Sequence, residues 1–574
     1  MLKELPTDIQ EFMAWSWDEI RPYADQLLAE PLSAENVEAW LAGWSRLVDM
    51  IAESYNRLYV RTTTHTNDEA GQERFERYVE DVIPRSREFD QAMKEKLLAS
   101  GLEPEGFAIP LRRMRTDAAI FRAENLPLHT ELEKIEVERS KITGGWGIEW
   151  GGEELTYSKA VTKLQSADRS EREGVWRRLA ERIRQDRAAV DDLWRRQLDL
   201  RFQMARNAGF ESYRDFRWQE LARFDYTPDD CKAFHAAIEQ VVVPAASRFN
   251  ARRRAALGVD TLRVWDNHWF LSPDPYNRPP LKPFETVDEL LDRLDTIFHR
   301  VDPVFGGYFR TMRADNLLDL DSRKNKAPGG YMTDFPYSGQ PFIFAHAVGS
   351  HQSVITLLHE GGHAFHVYET LRIPYVHQRS LEFIPMEFAE VGSMAMELLA
   401  SPYLEADAGG FYSAEDAARA RVEHLEHIVQ FWPYMSVVDS FQHWVYEHPE
   451  QARDPQQCDE AWFTLYRRFL PDLDWSGMED DLRLLWRVQG HIFDAPFYYI
   501  EYGQAQLGAV QVWARALDDQ AGAVANYRRA LALGNTVTLP ELYEAAGARL
   551  AFDAATLREA VDLIERTIEE LNAL

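Results

Sequence analysis

Cysteine is nearly absent from this chain: Cys231 and Cys458 are the only two among 574 residues. That excludes a disulfide scaffold, and the pair lacks the CxxC spacing of a zinc knuckle or a redox couple. Two isolated thiols point to a reducing compartment, so the cytoplasm is the expected location. Long apolar runs are missing too. No stretch reaches the roughly 18 residues that a membrane helix needs, so no membrane partner is expected. The opening segment MLKELPTDIQEFMAWSWDEI has no basic stretch followed by an apolar one, so no secretory leader is predicted. Positive charge is in deficit, with 64 Lys+Arg against 94 Asp+Glu and a net charge of −30. A nucleic-acid binder needs a basic footprint to neutralise phosphates, so that class is set aside. GxxxxGK[ST] and GxSxG do not occur, and no GxGxxG follows a buried strand. Phosphate cradles and serine nucleophile elbows are therefore excluded.

What is present is ordinary globular material, 45% hydrophobic and 28% charged, enough for about three to four domain-sized units. Helical periodicity dominates. Val37, Trp40, Leu41, Trp44, Leu47, Val48 and Ile51 form one apolar stripe. Ser170 with Glu173 reads as a capping box that opens an amphipathic run to about Gly209. Arg177, Arg178, Arg182 and Arg184 in that run are interleaved with Glu181, Asp186, Asp191 and Asp192, which makes a solvated face rather than a binding face. Thr227-Pro228 and Thr538-Leu-Pro-Glu541 are further helix starts. Strand signals are few. Lys141 to Thr156 predicts a hairpin, and PFIFAH, from Pro341 to His346, predicts a strand after the punctuated loop KAPGGYMTDFPYSGQ.

One segment carries chemistry. SVITLLHEGGHAFHVY contains His359-Glu360-Gly361-Gly362-His363, an HExxH motif. Residues four apart share a helix face, so both imidazoles can meet one metal ion. Glu360 lies about 100° further round, beside the metal, where it can take a proton from a water. Two glycines inside a helix each cost roughly 1 kcal/mol relative to alanine, which predicts the close approach of a neighbouring backbone. A catalytic zinc usually has three protein ligands. Glu382, Glu387, Glu390 and Glu397 compete for the third place. Pro385 predicts a helix start that leaves Glu382 in a loop and puts the other three on one face. Glu390 is central in that stripe, and Glu387 and Glu397 either support it or face solvent. The metzincin pattern fails, because His366 and Glu369 stand where it needs glycine and histidine.

Farther on, GHIFDAPFYYIEY clusters His491, Tyr498, Tyr499 and Tyr502, whose hydroxyls can donate to an oxyanion. His424 and His427 in EHLEHIVQFW have no third ligand and read as packing residues. His443 and His448 read as packing or capping residues.

HEGGHAFH, with PFIFAHAVGSHQSVITLL before it and EFAEVGSMAMEL after it, resembles the thimet oligopeptidase family of zinc metallopeptidases, most closely its oligoendopeptidase F branch. HIFDAPFYYIEYGQAQ extends the likeness, and RNAGFESYRDFRWQ and LALGNTVTLPELYEAAG continue it more weakly, so it spans roughly residues 140–550. The resemblance implies one zinc ion per chain held by His359, His363 and Glu390, with Glu360 as general base. It implies catalytic roles for His491, Tyr499 and Tyr502, with Tyr498 the one-residue alternative register. It makes PFIFAH the edge strand along which substrate lies, with His346 where relatives carry asparagine. The implied fold is mainly α, with two helical lobes enclosing a deep substrate channel and a small β-sheet near the zinc site. A helical region over 1–165 would end in the hairpin, and a peptidase region over 166–574 would hold its zinc core at about 326–505. The implied activity is a gluzincin-type metalloendopeptidase cleaving internal bonds of short peptides. A zinc carboxypeptidase or aminopeptidase on a related scaffold, or a non-catalytic peptide binder, is the alternative.

Overall fold

A computed structural model describes residues 5–267 and 272–573. Helices dominate, and their starts follow the local chemistry. Thr227 caps the helix Pro228–Leu257 in a capping box with Asp230, and Thr538 caps Leu539–Ala545 in one with Glu541. The run after residue 168 differs from its reading. Asp168 is the cap, its side chain accepting from the Ser170 backbone N–H, and the run splits into Arg169–Gln185 and Arg187–Asn207. Asp186 makes the break, drawn out of the helical ladder by the Trp146 indole N–H at 3.0 Å and Arg182 at 2.7 Å. Its arginine face is solvated only in part: Arg177 and Arg184 are exposed and paired with Glu173 and Glu181, whereas Arg182 and Asp186 are half-buried and Asp191 is buried against Arg487.

The predicted hairpin is shorter than its sequence window. Lys141 to Gly144 close the helix Leu126–Gly144, and only β1 (Ile148–Trp150) and β2 (Glu153–Leu155) pair. Gly151 and Gly152, at φ 62° and 86°, supply the two left-handed residues that a tight two-residue turn needs.

A second sheet comprises β3 (Leu318–Asp321), β4 (Tyr331–Phe335) and β5 (Gln340–Ala347), in the order β3-β5-β4. β5 runs parallel to β3 and antiparallel to β4. PFIFAH is therefore the central strand, not the edge. Phe342, Ile343, Phe344 and Ala345 are all buried, and such a continuous apolar run belongs to a strand covered on both faces. The edges are β3 and β4, and β4 lies inside the segment read as a loop. His346 turns back onto that segment, with Nε2 2.7 Å from the Ala327 carbonyl.

Among the described residues two apolar clusters form. One collects residues from Phe12 to Met114, including the stripe on the helix Val37–Thr64; the other runs from Trp146 to Leu571. The first docks on the second through the β4–β5 turn, where Glu53 accepts from the Ser338 backbone N–H at 2.7 Å, and through an Asp49–Arg379 ion pair. Among the described residues no helix is long and apolar enough to cross a membrane.

Candidate metal centre

The helix His351–Thr370 carries the HExxH residues and starts at Ser350, whose hydroxyl accepts from the Ser353 backbone N–H. Its two glycines are explained by contact. A Cβ on Gly362 would lie 2.6 Å from both the Gly392 carbonyl oxygen and the Ser393 Cα, and one on Gly361 would lie 2.8 Å from the Phe298 ring. The helix therefore lies directly on the backbone of a second helix, Met386–Ala400. That crossing brings Glu390, two residues before Gly392, under the histidine pair.

Glu390 Oε2 lies 3.4 Å from His359 Nε2 and 3.7 Å from His363 Nε2. For a tetrahedral zinc with bonds of 2.0–2.2 Å, neighbouring ligand atoms stand about 3.3–3.5 Å apart, so the donor set fits that ion. The imidazole rings are 5.0 Å apart at 84° and converge rather than stack. Glu397 accepts from His359 Nδ1 at 2.7 Å, which leaves the Nε2 lone pair free for a metal. Ser393 Oγ donates to Glu390 Oε2 at 2.9 Å. Burial works against charge on both carboxylates. At Glu390 the two histidines and Ser393 outweigh it and hold the group below its ordinary value. At Glu397 the hydrogen bonds from His359 and His424 bring it down to about 2.

Glu360 sits beside this trio. Burial raises its pKa, and the nearby charge of Glu390 adds to the rise, while His359 and the Met332 backbone N–H of β4 oppose it. A carboxylate shifted toward neutrality is a better proton acceptor.

The other acids divide. Glu382 is exposed in the loop. Glu387 is buried and takes a 2.5 Å hydrogen bond from the Tyr226 hydroxyl, with Arg223 Nε 3.9 Å away. Neither it nor Glu397 faces solvent. Two contributors were not legible in the sequence. His424, read as a packing residue, holds Glu397 Oε2 from 3.0 Å, and Ser393 steadies Glu390. The serine, three residues after Glu390 on one helix, was the available signal; His424 had none.

In the tyrosine segment, Gln489 Nε2 donates to His491 Nδ1 at 2.9 Å. The neutral ring then carries its proton on Nε2, and burial keeps it neutral by lowering its pKa. The His491 ring lies 6.0 Å from those of Tyr498 and Tyr502. These two tyrosines feel the Glu390 carboxylate. Burial first, with Glu390 and neighbouring acids adding, pushes the Tyr502 hydroxyl up to about 12 and the Tyr498 hydroxyl higher. Tyr499 is 4% exposed; its ring is 5.0 Å from that of His491 and packs against Phe431 and Tyr434. Of the three tyrosines, Tyr498 and Tyr502 are the two whose hydroxyls the Glu390 charge pushes up. The helix Tyr499–Asp518 accounts for this, since residues four apart share its face and Tyr499 points into the core.

Elsewhere, His448 caps between two helices with Nδ1 2.9 Å from the Trp444 carbonyl, and His443 is buried 3.3 Å from Asp439. Both cysteines are free and buried.

Comparison with known proteins gives the family. Residues 162–562 match the sequence model of peptidase family M3. Oligopeptidase PepF of Bacillus subtilis is 21% identical over 341 residues, covering 58% of this chain and 47% of that protein, so the chain spans about half the length of that curated relative. The solved structure of Pz peptidase A with an inhibitor superposes with a TM-score of 0.84 at 25% identity, over 100% of this chain and 99% of that one. The structure of oligoendopeptidase F from Enterococcus faecium shares the fold, with a TM-score of 0.61 at 15% identity over 98% of both chains. The family model covers more than two thirds of the sequence and includes every donor residue of the centre: this chain belongs to peptidase family M3.

Proposed function

We propose that the chain is a zinc-dependent oligoendopeptidase that hydrolyses internal bonds of short peptides. The observation that carries the reading is the convergence of His359, His363 and Glu390 around one point, with Glu360 beside it. Zinc, when held by those three residues, supplies Lewis acidity toward a peptide carbonyl and toward water. Glu360 takes the proton of the attacking water and delivers it to the leaving amine. Tyr498 and Tyr502, both protonated at neutral pH, donate to the oxygen that gains charge, and His491 adds its Nε2–H. Glu397 and His424 hold the His359 ring in the tautomer that leaves Nε2 free. β4, a half-buried edge of its sheet, lies against Glu360 and is the strand along which an extended substrate backbone would lie. The peptidase region over 166–574 carries the chemistry, and the helical region before it shields the site from folded proteins. Two unpaired, buried thiols support action in the cytoplasm.

Peptides blocked at both ends, digested with and without chelator and read by mass spectrometry, test this. Internal cleavage that stops with chelator and returns with zinc is expected. Cleavage only of peptides with a free end would make the protein an exopeptidase. Glu360→Gln is expected to keep one metal per chain and lose about 10²- to 10⁴-fold in hydrolysis; full activity would remove Glu360 from the mechanism.

A further inference from the structure

The two tyrosines near Glu390 hang on an unusual turn. Phe497, immediately before Tyr498, has φ +66°, a left-handed conformation that a bulky aromatic side chain rarely adopts. Such a backbone persists only where its surroundings hold it. The holders are specific. Gln442 Oε1 accepts from the Phe497 N–H, and Arg223 Nη2 donates to the Phe497 carbonyl. The same Nη2 donates to Glu501 Oε1 at 2.5 Å, and Glu501 stands between Tyr498 and Tyr502 in the first turn of their helix. Arg223 Nε also lies 3.9 Å from Glu387, one turn before Glu390 on the other helix. Arg223 itself is buried between ring faces, 4.7 Å from the Trp218 centroid and 5.5 Å from that of Tyr226. It too follows a left-handed residue, Ala222, at φ +53°.

One guanidinium therefore touches the strained turn, the tyrosine helix and the Glu390 helix. Both hydrogen bonds leave from one nitrogen, Nη2, while Nε and Nη1 have no hydrogen-bond partner; the flat guanidinium held between two rings aims that nitrogen, which a lysine ammonium on a flexible stem does not reproduce. Among the described contacts, none joins Arg223 directly to His359, His363 or Glu390. We propose that Arg223 is a positioning residue that sets Tyr498 and Tyr502 against the metal ligands through Phe497 and Glu501. The inference rests on the reading of those tyrosines as oxyanion donors. Ion pairing with Glu501 and Glu387 alone would explain a buried arginine. It would not explain why the same Nη2 is spent on the carbonyl of the one left-handed aromatic residue in the described chain.

The test is a cycle of variants of the full-length zinc enzyme: Arg223→Met, Arg223→Lys, Tyr502→Phe and the two double combinations. Each is measured for kcat, KM, metal content and melting temperature. Arg223→Met is expected to lower kcat about 10²-fold, the size of one lost oxyanion donor, with KM within about twofold and one zinc retained. In the Tyr502→Phe background the same change is expected to cost little more, because both act through one contact. Arg223→Lys is expected to fall between wild type and Met, and it carries the test if the Met variant does not fold. A rise in KM at unchanged kcat would make Arg223 a substrate contact and overturn the proposal. Loss of zinc, or costs that simply multiply in the double variant, would reduce Arg223 to a structural ion pair and also overturn it. If Tyr502→Phe alone leaves kcat unchanged, the oxyanion reading fails first. If it lowers kcat while both Arg223 variants do not, only the positioning role fails.

Discussion

Among the described residues, two trios of side chains bring possible metal donors within 4.8 Å of one another: His359, His363 and Glu390, and Cys231, Asp439 and His443. By spacing alone they are equivalent, yet their surroundings differ in kind. In the first trio the histidine side chains keep 26% and 14% of their surface open, so solvent and substrate can reach the metal position. Its supporting bond to His359 also leaves the Nε2 lone pair free, since Glu397 accepts a hydrogen bond from Nδ1–H. In the second trio the residues are 0–2% exposed. Asp439 already receives His235 Nε2 at 2.8 Å, and Arg214 Nη1 lies 3.5 Å from His443 Nδ1. An arginine N–H at Nδ1 puts the imidazole proton on Nε2, the atom that a metal would need. Proximity of donors is thus insufficient; a metal centre also needs the correct tautomer, and a catalytic one an open side.

The sharpest way to break this contrast is to remove a donor from each trio and count metal. Glu390→Ala is expected to lose zinc and all peptidase activity by elemental analysis and peptide assay, while Glu382→Ala keeps both; the reverse would move the ligand into the loop. A smaller effect is expected one layer out. His424→Ala frees Glu397 from its second partner and should weaken zinc about 10- to 100-fold in chelator competition. Unchanged affinity would make His424 a mere neighbour. In the buried trio, Cys231→Ala should leave metal content and kcat as they are and cost on the order of 1 kcal/mol of stability in denaturant. A drop in metal per chain would show a second site.

The smallest effect is one of pH. Burial lowers the pKa of His235 despite the hydrogen bond to Asp439. The unfolded chain then takes up a proton below pH 6.5 that the folded chain refuses, so this contribution is complete above pH 6.5 and is lost as pH falls toward the folded value. A melting-temperature series from pH 7.5 to about 5 is expected to decline, and His235→Asn should flatten that decline. An unchanged slope would mean that His235 is already charged in the fold.

How much of this was legible depended on distance along the chain. Thr227, Thr538 and the stripe from Val37 to Ile51 are local signals, and the helices they predict are present. Asp168 displaced Ser170 as a cap because its carboxylate accepts from the Ser170 backbone N–H and starts the helix at Arg169, so that Ser170 already lies inside the first turn. The central place of β5 was written in its apolar run, but the edge strand β4 was hidden, because Tyr331 to Phe335 is half-buried and flanked by glycine and proline. Tyr498 and Tyr499 are chemically identical neighbours, and only the start of the helix decides which one faces Glu390.

By itself the sequence determined that the chain is helical and that His359, Glu360 and His363 share one turn, because four-residue spacing is a property of a single helix. Its two motif glycines already required a close neighbour. The identity of that neighbour was a matter of tertiary structure. The Gly362–Gly392 crossing brings Glu390, of the four acids, to the histidine pair, and the packing of other segments puts His424 behind Glu397 and Arg223 beside the Phe497 turn. These partners come from separate helices, and no local periodicity relates them; only packing places them within hydrogen-bond reach.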